Sequence, residues 1–253
     1  SLSVEAMSEG MKNPERVIGF HFFNPVAIMP LLEVARTSKT DDATTATAVS
    51  VGKELKKTMI ICKDAPGFVV NRLLTRFMGE VTDAVDEGTS PEVADNAMRS
   101  IGFPMSPFEL LDLVGPGVAL HVSETLHENL GPRYRISPTM QAMVDAKVRN
   151  FYIKGADGKF TANPEAVALI KQGDKPSTAE QVRDRALNAL AVEARMMLDE
   201  GVVSSAAEID LCMLMGSGWP MHLGGILPYL DREGISFAVC GQRFHAPGIA
   251  SLP

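Results

Sequence analysis

Val17-Ile18-Gly19-Phe20-His21-Phe22-Phe23-Asn24-Pro25 reads as a β-strand, a β-branched and aromatic run stopped by the turn signal Asn-Pro. Downstream, Leu31-Leu32-Glu33-Val34-Ala35 is a second short strand. Asp41 and Asp42 stand where an N-cap and a first-turn acid belong, and the pattern stays helical to about Lys57. Met59-Ile60-Ile61-Cys62 is a third strand, almost wholly apolar, as a strand covered on both faces is. Strand, strand, helix, strand is the order of the end of an α/β sheet. Three short strands cover one another poorly, so part of the partner layer is expected upstream of residue 1.

After Asp64-Ala65-Pro66-Gly67 the hydrophobic period changes from two to three or four. Pro66 suits the first turn of a helix, and Phe68, Leu73, Leu74, Phe77, Val81, Ala84 and Val85 continue it to a stop at Gly88. The stretch from Tyr152 to Asp174 is rich in glycine and lysine and reads as a linker. Ser177 with Glu180 forms a capping-box pattern that opens another amphipathic helix, ending near Gly201. The two helical stretches resemble each other: Asn71-Arg72 matches Asp184-Arg185, and Asp86-Glu87-Gly88 matches Asp199-Glu200-Gly201, both 113 residues on. Gly102-Phe103-Pro104-Met105 matches Gly218-Trp219-Pro220-Met221 at an offset of 116. Ordered matches of this kind indicate a duplicated unit. The expected fold is mostly α with a small α/β remnant: the end of a Rossmann-type sheet over 1–64, a first helical domain over 65–160, and a second, similar one over 175–253.

Composition narrows the function. The 253 residues carry a net charge of −7, with 45% hydrophobic and 22% charged residues. That balance excludes intrinsic disorder and argues against a phosphate-backbone binder. No uninterrupted apolar run approaches the ~18 residues of a membrane span. Three well-separated cysteines, Cys62, Cys212 and Cys240, point to a reducing, cytoplasmic setting, with an organelle matrix as the other choice.

The candidate chemistry lies with His21 and Glu33, near Asn24 and Asn71. Imidazole is the side chain whose ordinary titration lies nearest neutral pH, and a carboxylate on its far nitrogen fixes the tautomer. The residues alone leave a second reading, a hydrogen-bonded core histidine among phenylalanines with Glu33 on a solvent face. His121 and His127 lack partners for a zinc set, so no metal is expected. His245 falls in an expected tail. No G-x-S-x-G elbow and no G-x-G-x-x-G fingerprint occurs.

Gly19-Phe20-His21-Phe22-Phe23-Asn24-Pro25 followed by Met29-Pro30-Leu31-Leu32-Glu33-Val34 resembles the signature of the 3-hydroxyacyl-CoA dehydrogenases. Asp64 to Arg72 resembles that family's entry into its helical domain, and Gly102 to Gly115 its next block. The resemblance implies NAD-dependent oxidation of a 3-hydroxyacyl-CoA in fatty-acid β-oxidation. It implies His21 as the base, Glu33 as its partner, Asn24 on the cofactor side, and Asn71 and Tyr229 on the substrate side. Tandem helical units resemble the multifunctional α-subunits, which implies a thiolase subunit as partner. It also implies that most of the NAD-binding domain lies upstream and that the 253 residues alone are inactive. The alternative is a helical oligomerisation or interaction module retaining the His/Glu pair.

Overall fold

The computed structural model describes residues 2–154, 160–170 and 173–249. Along the chain these form α1 (Val4–Ser8), β1 (Gly19–Phe22), β2 (Leu31–Arg36), α2 (Asp42–Glu54) and β3 (Thr58–Lys63). Helices α3 (Val70–Asp86), α4 (Pro91–Arg99), α5 (Pro107–Val114), α6 (Pro116–Leu130) and α7 (Pro138–Asp145) follow. Then come β4 (Tyr152–Lys154), β5 (Phe160–Ala162), α8 (Pro164–Leu169), α9 (Ala179–Asp199), α10 (Ala206–Cys212), α11 (Ile226–Arg232) and α12 (Ile235–Cys240). The fold is mostly α with a small α/β portion, as the residue pattern indicates.

Two compact units emerge, one made of residues 1–74 and 191–253, the other of 75–190. In the first, β1 pairs antiparallel with β2, and β2 pairs parallel with β3. Alternation along the strands sorts the side chains. Phe20, Phe22 and Met59 pack with Leu32, Val34 and Ala48 of α2 on one face. Leu31, Glu33, Ala35, Ile60 and Cys62 belong to the other, and all are buried. In the second unit Phe77, Val81, Ala84 and Val85 of α3 are buried with Ala94, Met98, Phe108 and Leu111.

Three local readings are corrected. The helix expected from Pro66 begins at Val70, because Gly67 (φ +75°) and Phe68 (φ +47°) take left-handed backbone conformations that no helix contains. The capping box falls one residue later: Thr178 N–H donates to Gln181 Oε1 at 2.8 Å, and Gln181 N–H donates to Thr178 Oγ1 at 3.2 Å. Ser177 N–H instead donates to Thr89 Oγ1 at 2.8 Å. The expected linker holds β4, β5 and α8, where Tyr152 pairs with Ala162 and Asn163 caps the helix.

Polar contacts recur between the two helical stretches. Arg72 binds Glu193 and Glu200, and Arg185 binds Glu80 and Glu87. Asp95 accepts from Phe108 N–H (2.9 Å) and from the Tyr152 hydroxyl (2.6 Å). Asp210 accepts from Leu227 N–H (2.8 Å) and pairs with His245 Nε2 (2.8 Å). Asp112 accepts from Phe151 and Tyr152 N–H, and Asp231 from Phe244 and His245 N–H. His245 is therefore no loose tail residue; two buried aspartates fix both its backbone and its ring.

Candidate active site

Residues directly opposed in an antiparallel pair project to the same face, with Cβ atoms about 4.5–5.5 Å apart. His21 on β1 stands opposite Glu33 on β2, and His21 Nδ1 lies 2.6 Å from Glu33 Oε2. The Glu33 side chain has no solvent exposure, while that of His21 keeps 30%. Glu33 is thus not on a solvent face, and His21 is not sealed in the core. Among the described residues His21 Nε2 makes no hydrogen bond, so the outer nitrogen is open to a ligand.

The second Glu33 oxygen is held by backbone. Oε1 accepts from Val69 N–H at 3.1 Å and from Val70 N–H at 2.9 Å, the opening of α3. Successive N–H groups after a left-handed residue form a concave seat for an anion, and the helix N-terminus adds partial positive charge. A buried carboxylate needs such partners, and Glu33 has three across its two oxygens.

Aromatic rings flank the imidazole. Phe23 is edge-on at 4.7 Å between centroids, and Phe68 is tilted at 5.6 Å. Behind them Gly216 comes so close that a Cβ there would lie 2.6 Å from Leu31 Cδ2 and 2.9 Å from Val70 Cγ2. Cys62 and Cys212 are buried in this unit; burial pushes both thiols far up, and the charge of Glu33 adds to it. Neither offers a thiolate nucleophile at neutral pH. The chemistry available to the pair is proton transfer through Nε2.

The remaining sequence candidates sit at different remove. Asn71 is the second residue of α3, adjacent to Val70, and is half-buried. Asn24 is exposed, two residues beyond β1. Tyr229 is half-buried on α11, its ring edge-on to Trp219 at 5.4 Å and 5.9 Å from the Arg232 guanidinium carbon. Sequence reasoning missed the amides of Val69 and Val70 and the rings of Phe23 and Phe68. The only signal for the amides was Gly67, just after Pro66. Among the described residues no three His, Cys, Asp or Glu side chains gather as a metal site. No helix among them is long and apolar enough to cross a membrane.

Residues 1–65 match the 3-hydroxyacyl-CoA dehydrogenase NAD binding domain, and residues 67–150 match the 3-hydroxyacyl-CoA dehydrogenase C-terminal domain. The NAD-domain match thus falls within the chain, where the sequence reading put most of that domain upstream. The fatty acid oxidation complex subunit alpha of Acinetobacter baumannii (strain SDF) is 34% identical over 97% of this chain. The chain spans 37% of that relative's length. A 3-hydroxybutyryl-CoA dehydrogenase from Escherichia coli K12 shares the fold, with a TM-score of 0.76 at 22% identity over 99% of this chain and 72% of that one. An (S)-3-hydroxybutyryl-CoA dehydrogenase from Ralstonia eutropha matches at 34% identity and a TM-score of 0.56, over 59% of this chain and 54% of that one. The chain belongs to the 3-hydroxyacyl-CoA dehydrogenase family.

Proposed function

We propose that the intact protein oxidises a 3-hydroxyacyl-CoA to a 3-oxoacyl-CoA with NAD in fatty-acid β-oxidation, as part of a multifunctional enzyme. The observation that carries this reading is the buried Glu33 carboxylate on His21 Nδ1, with Nε2 open. Glu33 Oε2 accepts a hydrogen bond from Nδ1–H, which fixes the tautomer whose Nε2 lone pair faces outward. Nε2 takes the proton of the 3-hydroxyl group as C3 gives up its hydride. Glu33 then stabilises the imidazolium, and its own charge stays seated on the Val69 and Val70 amides. Asn71 orients the substrate oxygen from the start of α3, and Tyr229 contributes on the substrate side.

Bound NAD supplies the acceptor for the hydride. We assign the exposed Asn24, three residues on from His21, to its nicotinamide end. No G-x-G-x-x-G loop occurs in the 253 residues. The recurring aspartate and arginine contacts support two copies of one helical unit, 65–160 and 175–253, after a sheet region at 1–64. The likeness to a subunit of a fatty acid oxidation complex supports a partner subunit, which we propose to be a thiolase, and we propose a cytoplasmic location.

The test is NADH formation from a 3-hydroxyacyl-CoA by the intact protein and its His21→Gln variant. Turnover that vanishes in the variant supports the reading. An intact protein without turnover points to the interaction module instead.

A further inference from the structure

We propose that Phe68 is a positioning residue for the His21–Glu33 pair, an inference that rests on the reading of His21 as the base. Phe68 holds φ at +47°, a left-handed conformation that disfavours a bulky side chain. Its neighbour Gly67, at φ +75°, shows what the backbone there accepts at ease. A strained residue persists only where its surroundings over-determine it, and such residues concentrate at active sites. Two features over-determine Phe68. Its ring, with only 9% of the residue exposed, lies 5.6 Å from the His21 ring, which Phe23 also contacts at 4.7 Å. Its backbone turn aims the next two N–H groups, those of Val69 and Val70, at one oxygen of Glu33.

The two features act on opposite members of one pair. The amides fix Glu33 Oε1, which leaves Oε2 for Nδ1; the ring limits rotation of the imidazole, which keeps Nε2 pointed outward. A glycine at position 68 would satisfy the backbone and leave the imidazole loose. The phenylalanine does both.

The test compares Phe68→Gly, Phe68→Leu, Phe68→Tyr and His21→Gln in the intact protein. Phe68→Gly keeps the left-handed turn without the ring; Phe68→Leu keeps apolar bulk without an aromatic face; Phe68→Tyr keeps the ring. Expected is a fall in kcat of about tenfold or more for Phe68→Gly and Phe68→Leu, with KM within about threefold, because misplacing a reacting group is costly in rate. Phe68→Tyr should restore kcat to near the parent value. The second readout is the His21 Nδ1–H proton resonance without ligands: sharp in the parent and Phe68→Tyr, broadened by exchange in Phe68→Gly. If Phe68→Gly does not fold, Phe68→Leu carries the comparison. Parent-like kcat and a sharp resonance in the folded ring-less variant would overturn the proposal. His21→Gln with undiminished turnover would instead overturn the base assignment.

Discussion

The Arg72 guanidinium and the Glu193 carboxylate, neither with any solvent exposure, meet at 2.6 Å between Nε and Oε1. Arg72 also grips Glu200 through both terminal nitrogens, at 2.6 and 3.0 Å. It lies in the first turn of α3, two residues after Val70, whose amide donates to Glu33, so this brace bears on the turn that holds the carboxylate. Removing one member of a buried pair strands the other charge and typically costs about 3–5 kcal/mol. Arg72→Met should lower stability by that order in urea unfolding. Arg185→Met removes the matching contacts to Glu80 and Glu87, where the arginine side chain is 32% exposed, and should cost about 1 kcal/mol or less. Equal losses would contradict the weight given to burial.

Asp83 on α3 supplies a pH-dependent contribution. Burial raises its carboxyl to about 7, the nearby charges of Glu80, Asp86 and Glu87 add to that, and Arg135 at 3.5 Å opposes it. A folded-state pKa above the unfolded value means the native state binds the extra proton. The associated stability is complete below the ordinary carboxylate range and is lost as pH rises through about 7. Thermal unfolding of the parent should therefore give a falling Tm between about pH 4 and about pH 7, the interval between the ordinary carboxylate value and the folded-state one, and no further contribution from this group above it. Asp83→Asn should flatten that slope, to which one carboxyl contributes at most about 1.4 kcal/mol for each step of one in pH. A variant with the parental slope would show that other groups set it.

Thiol reactivity should separate the cysteines. Cys62 and Cys212 are buried with thiols pushed far up; Cys240 is half-buried and raised by a smaller desolvation, which Arg195 opposes. Alkylation of the native protein near pH 8, followed by mass spectrometry, should mark Cys240 well before the other two, since the thiolate is the reactive form. Early labelling of Cys62 would mean that the β3 face opens readily.

The three-stranded sheet and the His21–Glu33 candidate were legible because both rest on short-range rules. Alternation put His21 and Glu33 on strands, and an unbroken apolar run marked β3 as buried. What stayed hidden depends on distant partners. Nothing near Glu33 in the sequence announces that amides 36 and 37 residues on will seat it. The delayed start of α3 was misread because Pro66 is compatible with a first turn, and the left-handed Phe68 breaks the usual rule for bulky residues. His245 looked like tail because its aspartate partners lie 14 and 35 residues away. The capping box slipped by one because Ser177-x-x-Glu180 and Thr178-x-x-Gln181 both fit the motif, and Thr89 takes the Ser177 amide.

Replacing Glu33 by glutamine tests what the carboxylate contributes beyond shape. A glutamine oxygen can still accept from Val69 and Val70, but the charge facing His21 Nδ1 is gone. Folding should persist while kcat falls by about 10²-fold, the lower end of the range for general base catalysis. A parental kcat would mean that Glu33 serves only the fold.

The most direct measurement is kcat of the intact protein with His21→Gln, set beside the NAD dissociation constant of the same variant. The account predicts a loss of about 10²- to 10⁴-fold in kcat, the scale of a missing general base, with NAD binding within about twofold of the parent. Parental turnover in His21→Gln, or a loss explained wholly by weakened NAD binding, would contradict it.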